Sequence, residues 1–109
     1  IGQGVAVGSG TAIMASTGIN PGTIIGKGCI INTGSTVDHD CIIGDYVHVS
    51  PGVHIAGSVQ VGDLAWLGIG SAISNNIRIA AECVIGAGAV VVKDIHEPGT
   101  YVGVPAKLI

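Results

Sequence analysis

Ile19-Asn20-Pro21-Gly22-Thr23-Ile24-Ile25-Gly26-Lys27-Gly28-Cys29-Ile30-Ile31-Asn32-Thr33-Gly34-Ser35-Thr36-Val37 carries an aliphatic residue at every sixth position: Ile19, Ile25, Ile31 and Val37. Four residues after each of the first three comes a small or β-branched one: Thr23, Cys29 and Ser35. Outward from this stretch both columns run without a slip. The aliphatic column extends from Ile1 to Val91 and the small column from Val5 to Ala89. A period of six fits neither a helix face nor a lone amphipathic strand. It fits a coiled β-solenoid in which short strands alternate with tight corners.

Composition agrees with that reading. The 109 residues suit one domain with a real core, and with no Phe and 3% aromatic residues that core is aliphatic. Nineteen glycines sit in the period rather than in a flexible tract, so they are expected to supply corner conformations with positive φ. No apolar run is long enough for a membrane helix, and no secretory signal pattern is present. A net charge of −3 without an aromatic and basic patch argues against nucleic acid as a partner. The three cysteines, Cys29, Cys41 and Cys83, all fall in the small column and read as core fillers. Their odd number fits a reducing cytoplasm.

Three hexapeptides make one triangular coil of eighteen residues, so residues 1–92 give about five coils. The register breaks at Lys93, His96-Glu97-Pro98-Gly99 reads as a turn, and residues 93–109 form a cap and tail packing back on the last coil. Cys29 and Cys83 share a column but stand three rungs, about 14 Å, apart. That is too far for a disulfide, and Cys41 lies on another face. The chain opens in register without an initiator Met, as a portion of something longer would.

The sixth position of each hexapeptide points outward. One column reads Ala6, Ile24, Ile42, Gln60, Arg78, His96; another Gly18, Thr36, His54, Ala72, Val90; a third Ala12, Ile30, His48, Trp66, Val84. The third is the most apolar and holds the single Trp, so it is the expected subunit contact. A three-sided prism with a sticky face suggests a cyclic trimer.

The repeat, the segment Ile31 to Ser50 with its Asp38-His39-Asp40 centre, and the tail Tyr101-Val102-Gly103-Val104-Pro105-Ala106-Lys107 carry a family resemblance. The chain resembles the hexapeptide-repeat acyltransferases. Within them it is similar to the sugar O-acyltransferases related to sialic acid O-acetyltransferase, which include bacillosamine- and perosamine-type nucleotide-sugar N-acetyltransferases. The resemblance implies an all-β fold, a left-handed parallel β-helix of about five triangular coils with a short C-terminal tail. The handedness rests on the resemblance alone, since crossovers are generally right-handed. It also implies acetyl-CoA as co-substrate, a homotrimer with the acyl-donor site between subunits, and a sugar acceptor. Those relatives carry an N-terminal nucleotide-sugar-binding domain of βαβ type before the β-helix, and none is expected within residues 1–109.

Acyl transfer from a thioester needs a base for the attacking hydroxyl or amine, a donor for the developing oxyanion, and a groove that positions the acyl arm. No protein nucleophile and no metal is expected. His39, in an outward position between Asp38 and Asp40, is the candidate base, because a carboxylate orients one ring nitrogen and raises the basicity of the other. The resemblance assigns it that role and makes Asp40 its helper, while Asp38 reads as a solvated corner residue. Gly57 lies one coil after His39, and the resemblance gives its N–H to the oxyanion. The resemblance gives His48, Ile69 and Ala87 to the acetyl-CoA, the last two through their backbone. Asn32 matches a polar residue near the site. Arg78, Lys93 and Lys107 are the cations available for phosphate, Lys107 being best placed by resemblance.

Two other readings stay open on the residues. One is a metalloenzyme like the γ-class carbonic anhydrases, which would need three of His39, His48, His54 and His96 to converge, although the His-x4-His spacing of that class is absent. The other is a non-catalytic trimeric β-helix serving as an assembly module.

Overall fold

A computed structural model describes residues 1–109. The chain is a left-handed parallel β-helix of about five turns without a helix. All but one of its seventeen strands are two residues long, and they fall into three sheets. The first sheet stacks Ala6–Val7, Ile24–Ile25, Ile42–Ile43, Gln60–Val61 and Arg78–Ile79. The second stacks Ala12–Ile13, Ile30–Ile31, His48–Val49, Trp66–Leu67 and Val84–Ile85, then continues into the tail. The third stacks Gly18–Ile19, Thr36–Val37, His54–Ile55, Ala72–Ile73 and Val90–Val91. Partners in these stacks are eighteen residues apart, as in Ala12↔Ile30, Thr36↔His54 and Trp66↔Val84. The result is a prism of 36 × 21 × 21 Å.

Neighbouring residues of a strand face opposite ways. A two-residue strand therefore turns one side chain in and one out. Ile25, Ile31, Val37, Ile43, Val49, Ile55 and Leu67 point inward and are fully buried, while Ile24, Ile42, Trp66 and Val84 stand outside. The small column closes each corner from within, and its composition has a second cause. Corner carbonyls turn into the core, where an unpaired one is costly. Thr11 Oγ1 donates to Gly26 O at 2.7 Å, Thr23 Oγ1 to Asp38 O at 2.8 Å, and Cys29 Sγ to Gly44 O at 3.1 Å. The three cysteines are free and fully buried.

The glycines serve two purposes rather than the one expected. Gly34 and its column mates do take positive φ, 71° at Gly34 itself. At other corners, however, Asp40, Tyr46, Ser58, Leu64, Asn76 and Glu82 hold the same conformation, with φ of 56–64°. Another set of glycines, Gly57 among them, has an ordinary φ and is required by close approach.

The stacking of His96 on Arg78 does not occur. Ile95 bridges Ile79, and Thr100 pairs with Val84, so the last coil is two residues short. An eighteen-residue step from Ile79 would have put Glu97 into the core, where an unpaired carboxylate is expensive. Ile95 fills that slot at 7% exposure. Asp94 Oδ1 accepts the Arg78 N–H at 2.9 Å, in place of the carbonyl a full coil would bring. Beyond it, Thr100–Val102 adds a rung to the second sheet, and Lys107–Leu108 turns back antiparallel to it. Val90 N–H donates to Gly103 O at 3.1 Å and Ala106 N–H to Val90 O at 2.8 Å, which ties the tail to the third sheet as well.

Candidate active site

His39 and Asp40 stand on the edge where the third sheet turns into the first. His39 Nδ1 and Asp40 Oδ2 lie 3.1 Å apart. Both side chains are well exposed, so the pair adds little to stability. Its effect is orientation. With the Nδ1 proton donated to the carboxylate, Nε2 keeps its lone pair and is free. Asp40 reaches the ring because its backbone is left-handed (φ 56°), a conformation Asp tolerates well. Asp38 is more than a solvated corner residue: its Oδ1 accepts the His39 N–H and the Asn20 side-chain amide, each at 2.8 Å. Those two bonds, Asn20 first, hold its carboxyl below the usual aspartate range.

Gly57 lies directly against the imidazole. A Cβ built there would meet His39 Nε2 at 2.5 Å and Cε1 at 2.7 Å. The corner's positive φ belongs to Ser58, so steric fit to the ring requires glycine at this position. Gly57 O accepts from Asn76 N–H at 3.0 Å, while its own N–H makes no bond within the chain. The arrangement sets a free imidazole nitrogen beside a free backbone donor, which is what a base and an oxyanion donor need.

A second feature flanks the edge between the second and third sheets. There an open groove of about 400 Å³ is lined by His48, Pro51, Trp66, Ile69, Val84 and Ala87, among others. It brings together His48, Ile69 and Ala87. His48 meets Trp66 edge to face, with ring centroids 4.2 Å apart, and its Nε2 is buried without a partner. The N–H groups of Ile69 and Ala87, one coil apart, make no bond within the chain. At the foot of the same column Asn32 Oδ1 accepts the Thr33 N–H at 2.7 Å and closes that position. His39 with Gly57 and this groove occupy different edges of the prism, so one copy of the chain does not unite them.

Of the cations, Lys107 pairs with Val102, whose side chain packs over Gly86 at the groove's upper end. Lys93 and Lys107 line a cleft between tail and last coil, whereas Arg78 opens onto the first sheet's face. The four histidines occupy separate places. His54, on the third sheet, shares a 2.7 Å bond between Nδ1 and Thr36 Oγ1, and no group of three His, Cys, Asp or Glu side chains is placed to hold a metal ion. Sequence reasoning missed Asn20 and the contacts of the Cys41 thiol with the His39 and Ala56 carbonyls. The eighteen-residue stacking of Asn20 under Asp38 was the available signal for the first.

Residues 22–57 match the family model described as bacterial transferase hexapeptide (six repeats). The match falls within the six-residue repeat that runs from Ile1 to Val91. Among solved structures it is similar to the acetyltransferase domain of PglB from Neisseria gonorrhoeae FA1090 in complex with acetyl coenzyme A, at 36% identity and a TM-score of 0.95, over 96% of this chain and 51% of that one. It is likewise similar to PerB from Caulobacter crescentus in complex with CoA and GDP-perosamine, at 42% identity and a TM-score of 0.97, over 100% of this chain and 53% of that one. A curated relative, the acyl-[acyl-carrier-protein]–UDP-N-acetylglucosamine O-acyltransferase of Burkholderia lata, is 36% identical over 59 residues, 54% of this chain and 22% of its own length. The chain therefore spans about half of the solved relatives and about a fifth of the curated one. No helix is long and apolar enough to cross a membrane.

Proposed function

We propose that this chain is the catalytic β-helix of an acetyl-CoA-dependent acetyltransferase that modifies a hydroxyl or amine of a sugar, probe substrates being nucleotide-linked amino sugars. The observation that carries the reading is the seating of His39 Nε2 against Gly57 with the Gly57 N–H free. The names of the PglB domain and of PerB support the same chemistry.

The groove fits the co-substrate. A pantetheine arm is apolar with amide carbonyls along it, and the groove offers the Trp66 and Val84 side chains beside the free N–H groups of Ile69 and Ala87. Successive rungs set those two donors about 4.8 Å apart. His48 Nε2 supplies a further buried donor or acceptor. Lys107, exposed beyond Val102, would face phosphate. When bound, the thioester supplies the activated acetyl group. His39 takes the proton of the attacking hydroxyl or amine at Nε2, while Asp40 holds the ring at Nδ1. The Gly57 N–H is directed at the oxygen on which charge develops.

Because the groove and His39 lie on separate edges, the working unit is a homotrimer in which one subunit's His39 edge meets its partner's groove. The exposed Ile30, Trp66 and Val84 of the second sheet suit that contact. The test is thiol release from acetyl-CoA with nucleotide-linked amino sugars, alongside light scattering. His39→Ala should keep the wild-type mass and donor binding while turnover falls by about 10²–10⁴-fold. Undiminished turnover in His39→Ala overturns the assignment of the base.

A further inference from the structure

We propose that Cys41 is a positioning residue that holds the Ala56–Gly57 peptide so that its N–H faces His39. This rests on the acetyl-transfer reading above. The Cys41 thiol lies fully buried beneath the site. Sγ is 3.1 Å from Ala56 O and 3.7 Å from His39 O. It thus underlies the carbonyls of both peptides that matter, one carrying the candidate base and one carrying the candidate oxyanion donor.

The Ala56 carbonyl accepts no bond other than that thiol. C=O and N–H of one peptide are fixed in a single plane, pointing in opposite directions. Anchoring the carbonyl inward therefore aims the Gly57 N–H outward, where nothing in the chain holds it. Burial pushes the Cys41 thiol up, so at neutral pH it is the S–H donor.

Cys29 provides an internal control. It makes the same pair of contacts, 3.1 Å to Gly44 O and 3.8 Å to Lys27 O. There, however, the outward N–H is that of Asp45, and Asp63 Oδ1 caps it at 2.7 Å. The two cysteines thus share a structural duty, and only Cys41 has a free donor on the far side of its peptide.

The experiment compares Cys41→Ala with Cys29→Ala in the trimeric protein. Both should lower the melting temperature by similar amounts. Cys41→Ala alone should lower kcat, by about 10-fold, a fraction of what losing an oxyanion donor outright costs. KM for acetyl-CoA should stay unchanged. Cys41→Ser should restore most of the loss, since a hydroxyl does this job at Thr23, which donates to Asp38 O at 2.8 Å. Cys41→Val is the second variant if Ala fails to fold, because Val47, Val53 and Val59 occupy the same column. Equal kcat in Cys41→Ala and Cys29→Ala overturns the proposal. So does failure of Ser to outperform Val. A readout without turnover separates this from the acetyl-transfer reading: the Gly57 amide resonance should shift in Cys41→Ala and stay in place in Cys29→Ala. His39→Ala with full turnover would sink the acetyl-transfer reading while leaving that shift intact.

Discussion

Gly57 would accept any side chain on backbone grounds, yet the His39 ring occupies the space a Cβ would need. Gly57→Ala should therefore fold with a near-normal melting temperature while displacing the imidazole from its seat. We expect turnover to fall by about 10²-fold or more, since misplacing a base by an ångström costs that much. Crystallography of the variant would show the rotated ring. Asp38 makes a different prediction. Its folded pKa is depressed by Asn20 and by the His39 N–H, so its contribution is present above the unfolded value and lost as pH falls through the folded one. Asn20→Ala should melt below the wild type at neutral pH, and the gap should close as pH drops beneath the ordinary aspartate pKa of about 3.9. A gap independent of pH would count against this linkage. At this scale much was legible: the chain named His39 with its two neighbouring carboxylates, and the step of eighteen put Gly57 beside it. The fit of ring to glycine was not legible, because nothing in a period specifies a rotamer.

At several corners, among them those of Thr11, Thr23, Cys29 and Cys41, a side chain from one coil reaches a carbonyl of the next. Thr23→Val keeps the volume but orphans the Asp38 carbonyl. The expected cost is about 1–3 kcal/mol, read from denaturant midpoints. Leu67→Ala removes a fully buried side chain and should cost about 2–5 kcal/mol. Strand positions and their inward and outward faces were written in the sequence, since alternation within a two-residue strand leaves no freedom. The short last coil was not. Lys93 marked the break, but the choice of Ile95 over position 97 depends on burial, which a column read by counting ignores. The available clue was chemical: Glu97 is a poor core residue and Ile95 a good one.

The division of the candidate site between two edges is a property of the prism, and it predicts complementation. Ala87→Trp should block the groove without disturbing the core, because Ala87 is exposed. His39→Ala and Ala87→Trp should each be inactive alone. After unfolding and refolding together they should regain a measurable fraction of activity, from interfaces pairing an intact His39 edge with an intact groove. No recovery in mixed trimers would mean that the site is not shared between copies. The single Trp offers a parallel readout: Trp66 is 51% exposed in one copy, so its emission should move to the red on dissociation of the proposed trimer.

A parallel coil is also a template for its own extension. Its last rung presents unpaired strand edges in the direction another coil would need. The reversed strand Lys107–Leu108, together with the bonds from Val90 to Gly103 and from Ala106 to Val90, occupies part of that edge and turns it against the grain. We infer that the tail caps the repeat at this edge. Cutting away residues 104–109 should release end-to-end growth, visible as rods in the electron microscope, at protein concentrations where the intact chain stays discrete.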